Sequence, residues 1–196
     1  MNSVFDFIVK PFTKRNNNKI EVDGSELILN TEMQNHQYVS RYGIVVSTPL
    51  AYFSEIKPGD EIIVHHNVFR RFYDVRGKEK NSRSYFKENL FFVQQDQVYA
   101  YKRNGEWRAV KGFSFIKPLH NFDSMQLSNE IIGKGIVKHS DGYIEKDTLV
   151  SFKPGCEYEF FIENERLYRV PNKFITIKYE YKGNEEEFNP SWSQSS

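Results

Sequence analysis

The chain has 196 residues, with 27 Lys and Arg against 26 Asp and Glu and a net charge of +1. That balance gives no global reason for nucleic acid or an anionic membrane to be the main partner. The single cysteine, Cys156, excludes a disulfide framework and a thiolate metal cluster, and the 17 Phe and 12 Tyr favour strands over helices.

In chain order, the opening Met1-Asn2-Ser3-Val4 has no basic stretch followed by an apolar run, so no signal peptide is read there. No apolar segment approaches the ~20 residues that span a bilayer. The expectation is a cytoplasmic protein. Short apolar runs of strand length then recur: Phe5–Val9, Tyr42–Val46, Glu61–His65, Leu90–Val93, Val98–Tyr101, Gly112–Ile116, Gly135–Val137, Tyr158–Ile162, Leu167–Val170 and Phe174–Tyr179. None repeats at the three-to-four spacing of an amphipathic helix. Many short strands separated by Gly, Pro and Asn predict an all-β protein built as barrels or sandwiches, with almost no helix.

The runs repeat in order. Phe7-Ile8-Val9-Lys10-Pro11 resembles Ser114-Phe115-Ile116-Lys117-Pro118, and Tyr42-Gly43-Ile44-Val45 resembles Lys134-Gly135-Ile136-Val137. Ile56-Lys57-Pro58-Gly59-Asp60-Glu61 resembles Phe152-Lys153-Pro154-Gly155-Cys156-Glu157, and the run from Val93 to Lys102 resembles that from Val170 to Tyr179. An ordered internal repeat means two copies of one unit. The predicted units are 1–103 and 104–183, divided near Arg103-Asn104-Gly105, with a frayed acidic and Ser-rich tail over 184–196. In Lys57-Pro58-Gly59-Asp60, Pro58 presets φ at the second position of a β-turn and Gly59 supplies φ > 0 at the third. Gly43 and Gly135 mark strand starts where a side chain is excluded.

Phe7-Ile8-Val9-Lys10, Gly43-Ile44-Val45, Ile56-Lys57-Pro58-Gly59-Asp60-Glu61-Ile62 and Asp96-Gln97-Val98-Tyr99-Ala100, taken in this order, resemble the GroES-type co-chaperonin family. The likeness covers Val4 to Lys102, and more faintly Gly112 to Tyr179. It implies two GroES-like small β-barrels in tandem, the first with a long mobile loop over about 13–41. That loop is polar and Asn-rich, with Asn16-Asn17-Asn18 and Asp23-Gly24-Ser25, and cannot bury enough apolar surface to fold alone. It carries one aliphatic triplet, Leu27-Ile28-Leu29. By resemblance this triplet docks into an apolar groove on a GroEL-type chaperonin; Ser25 and Glu26 separate it from Gly24, where the family has glycine adjacent. The competing reading makes the triplet an ordinary buried strand.

The resemblance further implies a homo-oligomer, a heptamer matching the seven-fold partner, assembled through the opening strand Val4–Val9 and the closing strand Val98–Tyr101. The chain itself would be no enzyme and need no cofactor, since ATP is bound by the partner. Only Ser47 to Glu55 separates the second strand from the Lys-Pro-Gly turn. A short roof of this kind is similar to co-chaperonins of tailed phages, which implies the host cytoplasm and a capsid protein as client.

Other constellations point elsewhere. Arg70, Arg71, Arg76, Lys78 and Arg83, interleaved with Phe69, Phe72, Tyr73, Tyr85 and Phe86, suit single-stranded nucleic acid. They carry the alternative function, a β-barrel nucleic-acid-binding protein; the more ordinary reading is a solvated hairpin or subunit contact. His65-His66 resembles a metal site, but neighbours in a strand point to opposite faces and cannot chelate one ion. Cys156 follows Pro154-Gly155 with no activating pair and reads as an inert thiol. There is no Gly-x-Ser-x-Gly, P-loop or Gly-x-Gly-x-x-Gly.

Overall fold

A strand forms here wherever an apolar run meets a partner of matching register, and nearly all the regular structure is strand. The computed structural model of the protein describes residues 2–12, 19–22, 25–28, 41–120 and 130–180. The only helical elements among them are the short 3-10 turns Gln95–Gln97 and Asn172–Phe174. The chain divides into two compact units, Met1–Trp107 and Arg108–Ser196.

The main strands of the first unit are β1 (Phe7–Pro11), β4 (Tyr42–Ser47), β5 (Glu61–Val64), β8 (Tyr85–Lys87), β9 (Leu90–Val93) and β10 (Val98–Arg103), followed by β11 (Glu106–Ala109), within which the division between the units falls. They form one sheet in the order β11-β10-β5-β4-β1-β9-β8. Two hairpins stand apart as sheets of their own: β2 (Lys19–Val22) with β3 (Ser25–Ile28), and β6 (Arg71–Tyr73) with β7 (Glu79–Asn81). The second unit holds β12 (Phe113–His120), β13 (Glu130–Ser140), β14 (Leu149–Phe152), β15 (Tyr158–Ile162), β16 (Glu165–Pro171) and β17 (Ile175–Lys178), in the order β15-β16-β12-β13-β14-β17.

Both sheets share one plan. Reading β12, β13, β14, β15, β16 and β17 as β1, β4, β5, β8, β9 and β10 makes the two orders identical, with β11 added at one edge of the first. Register agrees as well. Val9 faces Val45 and Pro11 faces Gly43, as Ile116 faces Val137 and Pro118 faces Gly135. A β-bulge interrupts both pairings at the same place, between Ile8 and Val9 and between Phe115 and Ile116. The amide of His65 donates to Gln97 (2.8 Å), and the amide of Lys153 donates to Phe174 in the corresponding position (2.9 Å). The pairings are antiparallel throughout, and neither ladder closes on itself, so each unit is an open sheet in its strand pairing rather than a closed barrel.

The repeat is real, but its third sequence match is corrected. Lys153-Pro154-Gly155-Cys156 does not occupy the place of Lys57-Pro58-Gly59-Asp60; it follows β14, where the first unit has His65-His66-Asn67-Val68. The true counterpart is Glu145-Lys146-Asp147-Thr148. Gly59 donates its amide to Val45 (2.8 Å) while Val45 donates to Asp60 (3.0 Å); Asp147 donates to Val137 (2.7 Å) while Val137 donates to Thr148 (3.0 Å). Gly59 has φ +91° and Asp147 has φ +61°. Aspartate tolerates the left-handed region that glycine favours, so one turn is written in two unrelated alphabets.

Two further expectations change. The opening strand β1 lies between β4 and β9, and the closing strand β10 lies between β5 and β11. Both edges of each are already paired, so neither is available as a subunit contact of the edge-strand kind; the outer strands are β8 and β11. Asn104-Gly105, with φ +53° and +83°, forms the two-residue turn of the β10–β11 hairpin. Two positive φ values in succession are what a type I′ turn needs, and Asn-Gly supplies them at least cost.

Each unit has its own core. Phe7, Val9, Ile62, Val64, Phe69 and Phe91 are fully buried in the first, with Phe69 edge-on to Phe91 at 5.0 Å. In the second, Ile116, Val137, Val150, Phe152 and Val170 cluster, and Phe115 meets Phe160 at 5.7 Å. The connection over 48–60 carries no strand, so no hairpin roofs β4 and β5. Instead the amides of Leu50 and Ala51 donate to the carbonyl of Val4 (3.1 and 2.9 Å).

Candidate functional site: the long loop and the basic hairpin

The connection from β1 to β4 spans 12–41, whereas β12 and β13 are joined by 121–129. The long connection is the first large addition to the shared plan. Within it β2 and β3 pair antiparallel: Lys19 faces Ile28, Ile20 faces Leu27, Glu21 faces Glu26 and Val22 faces Ser25. The segment therefore has local structure where the polar composition predicted none. The signal was present in the sequence. Asp-Gly at 23–24 between two β-prone stretches is a strong short-range hairpin cue. Leu27 and Ile28 lie on β3, which pairs with no strand but β2 among the described residues; Leu29 lies outside them, as do 13–18 and 29–40.

The Lys-Pro-Gly-Asp turn is built as the sequence predicted. The amide of Asp60 donates to the carbonyl of Lys57 (3.1 Å), Pro58 takes the second position, and Gly59 the third with positive φ. Asp60 is only 8% exposed. Its Oδ2 accepts the Lys57 amide at 2.8 Å. Both its oxygens accept from Arg103, Oδ1 from Nε at 3.2 Å and Oδ2 from Nη2. Arg103 Nη2 also donates to the carbonyl of Glu55 (2.6 Å). The Asp60 carboxylate holds the guanidinium pKa above its ordinary value. Sequence reasoning found the turn and missed the clamp, because Arg103 lies 43 residues away. The clamp fixes the turn to the end of β10; its role is structural. Thr148 takes the position of Asp60 in the second unit, where the neighbouring Asp147 pairs with Lys138 Nζ at 3.3 Å.

The second addition is the basic hairpin β6–β7. Arg71 lies on β6, Arg70 just before it, Arg76 and Lys78 in the turn, and Arg83 beyond β7. Arg76, Lys78 and Arg83 are exposed, whereas Arg70 and Arg71 are half-buried. The structure thus brings all five to one insertion but exposes three. Asp74 organises the tip: its Oδ1 accepts the amides of Arg76 (2.9 Å) and Lys78 (3.0 Å), and Lys80 Nζ lies 3.9 Å from Oδ2. The Lys78 amide, then that of Arg76, holds the Asp74 carboxyl below the usual 3.8. A lowered carboxyl pKa supports structure above the unfolded value and loses that support as pH falls through the folded one. The amide proton shifts of Arg76 and Lys78 are therefore expected to move together in acid with a midpoint below 3.8. A midpoint at or above that value would remove Asp74 as the cap.

His65 and His66 lie in the turn after β5 rather than on it. Their rings are not on opposite faces, as expected of strand neighbours; they stack at 4.1 Å between centroids, tilted by 31°. His65 Nδ1 accepts the amide of Asn67 (3.1 Å). Among the described residues no group of three or more His, Cys, Asp or Glu could hold a metal ion. The half-buried Cys156 thiol donates to the carbonyl of Lys153 (2.8 Å), and burial, then Glu157, pushes its pKa up. No helix among the described residues is long and apolar enough to cross a membrane.

No protein-family model matches the chain, and no curated protein matches it.

Proposed function

We propose that the chain is a co-chaperonin of the GroES type: two tandem units of barrel ancestry, the first of which caps a GroEL-type chaperonin through Leu27-Ile28-Leu29 and assists protein folding in the enclosed chamber. The observation that carries this reading is an asymmetry between repeats. Two units of identical strand order differ in the connection from first to second strand, and only the first inserts a long segment there with an aliphatic triplet. That is where the family resemblance puts its docking loop.

The hairpin makes the reading energetically reasonable. Burying three aliphatic side chains contributes at most ~1.5–3 kcal/mol each, and ordering a loop costs ~1–2 kcal/mol per residue fixed. Pairing β2 with β3 before docking removes part of that cost for Leu27 and Ile28. A single loop still binds weakly, and a ring of seven binds through effective concentration while remaining releasable. The assembly in this reading is therefore a heptamer, with phage capsid protein as the client class.

Incubation with a purified GroEL-type chaperonin tests the reading. Nucleotide-dependent co-migration, with seven chains per ring by native mass spectrometry, is the expected result. A chain that stays monomeric at high concentration and never co-migrates, with or without ATP, overturns it.

A further inference from the structure

The charge of the protein is unevenly placed. Residues 70–87 hold seven Lys and Arg against two Asp and Glu, a net +5 in a chain whose total is +1, so the remainder is net negative. This segment is nearly all insertion. In the second unit the turn after β14 leads almost directly into β15, whereas in the first it leads through β6 and β7 before β8. A surface added to one repeat alone is not required by the fold they share.

The inserted hairpin and the strand β8 that follows it, whose counterpart in the second unit is β15, present two chemistries. Arg76, Lys78, Lys80, Arg83 and Lys87 are exposed. So are the aromatic side chains of Phe72, Tyr85 and Phe86, and Val75 at the tip is fully exposed. The two parts are joined: the amide of Ser82 donates to the carbonyl of Arg70 (3.1 Å), and that of Tyr85 to Ser82 (3.1 Å), so the base of the hairpin runs into β8. On β8, Phe86 rests against Phe92 at 4.7 Å and Lys87 Nζ sits 5.4 Å from the Phe86 centroid. Tyr85, next to Phe86 on β8, turns to the other face and lies edge-on to the buried Phe91 at 5.5 Å, so the exposed rings left to a ligand are Phe72 and Phe86. An acidic protein would be met by the cations alone. Exposed rings that accept a base plane, together with exposed cations on the same segment, match single-stranded nucleic acid.

We propose that the β6–β7 hairpin and β8 form a binding surface for single-stranded nucleic acid, sequence-tolerant and separate from the triplet on β3. Arg76, Lys78 and Arg83 neutralise phosphates, and Phe86 stacks on a base. The proposal does not depend on the co-chaperonin reading.

Fluorescence anisotropy of the full chain with an oligothymidylate of about 20 nucleotides tests it, since small β-barrel domains occupy ~4–16 nucleotides. For about four phosphates neutralised on a single strand, affinity should fall roughly 50-fold between 50 and 200 mM salt. The triple variant R76Q/K78Q/R83Q should flatten the slope of log K against log salt by about 2. Phe86→Leu, which keeps apolar volume against Phe92, should weaken binding by roughly tenfold at every salt concentration. Neither variant should alter retention on a chaperonin. Absence of binding at low salt overturns the proposal. It is equally overturned if polyglutamate binds as tightly as the oligonucleotide and Phe86→Leu has no effect, which would make the surface a site for acidic protein.

Discussion

Replacing Ile28 with aspartate is expected to abolish retention on a GroEL-type chaperonin and to leave the melting temperature within a few degrees of the parent. Ile28 ends β3, opposite Lys19, in a hairpin that pairs with no strand of the main sheet among the described residues. That hairpin takes no hydrogen-bonded place in the main sheet among the described residues, and substitutions remote from a core usually change stability by less than ~0.5 kcal/mol. Binding is affected differently. Each loop loses the ~1.5–3 kcal/mol of burying one aliphatic side chain and must desolvate a carboxylate as well. Because the loops act together, a per-loop loss of tenfold or more compounds around the ring. Thermal unfolding and co-migration, measured on the same preparation, separate the two readings. A stability loss above ~2 kcal/mol would show Ile28 to be core, returning the triplet to an ordinary strand.

Much of the fold was legible in short apolar runs, since every run read from the sequence lies on or overlaps a strand. What escaped was whatever did not announce itself by composition. β14 was missed because the repeat was aligned on Lys-Pro-Gly, and the second unit makes the equivalent turn with Lys146-Asp147-Thr148. The hydrogen bonds are the same, and only the residue supplying the positive φ differs. β11 is four residues long and is specified mainly by the Asn-Gly turn before it. The β2–β3 hairpin was hidden inside a segment whose overall polarity suggested no structure. Closure of a sheet into a barrel depends on strand tilt and stagger, which a single sequence does not display; the ladders observed are open. For the candidate sites, Leu27, Ile28 and the basic insertion were visible as residue types. The Asp60–Arg103 clamp and the stacked His65–His66 rings needed coordinates, because each depends on where the chain returns to or turns rather than on local pattern.

The largest stability effect is expected at Gly135. Each unit has a glycine facing a proline in its second strand, Gly43 near the start of β4 opposite Pro11 and Gly135 opposite Pro118 in the middle of β13 rather than at its start, and both pack tightly against the first strand. The difference lies in what a methyl group would meet. At Gly43 the nearest atom is Val9 Cγ1 at 2.6 Å, followed by Phe69 Cζ at 3.0 Å and the Lys10 carbonyl oxygen at 3.1 Å. At Gly135 the nearest atom is the carbonyl oxygen of Lys117, with Ile116 Cγ2 at 2.6 Å. A side chain can rotate away; a strand carbonyl moves only if its ladder moves with it. Overfilling a packed site costs ~1–3 kcal/mol where side chains can adjust, offset by the ~0.4–1 kcal/mol that Gly→Ala gains through the unfolded chain. Gly43→Ala should therefore cost about 1–2 kcal/mol. Gly135→Ala should cost about 3 kcal/mol or more, because relief requires β12 and β13 to separate where Ile116 faces Val137. For a unit of this size that is a fall in melting temperature of roughly 12 °C or more. Urea unfolding of the two variants provides the comparison, with amide exchange in β12 and β13 locating the damage. If Gly135→Ala is no more harmful than Gly43→Ala, the close approach of the two strands is not what this glycine provides.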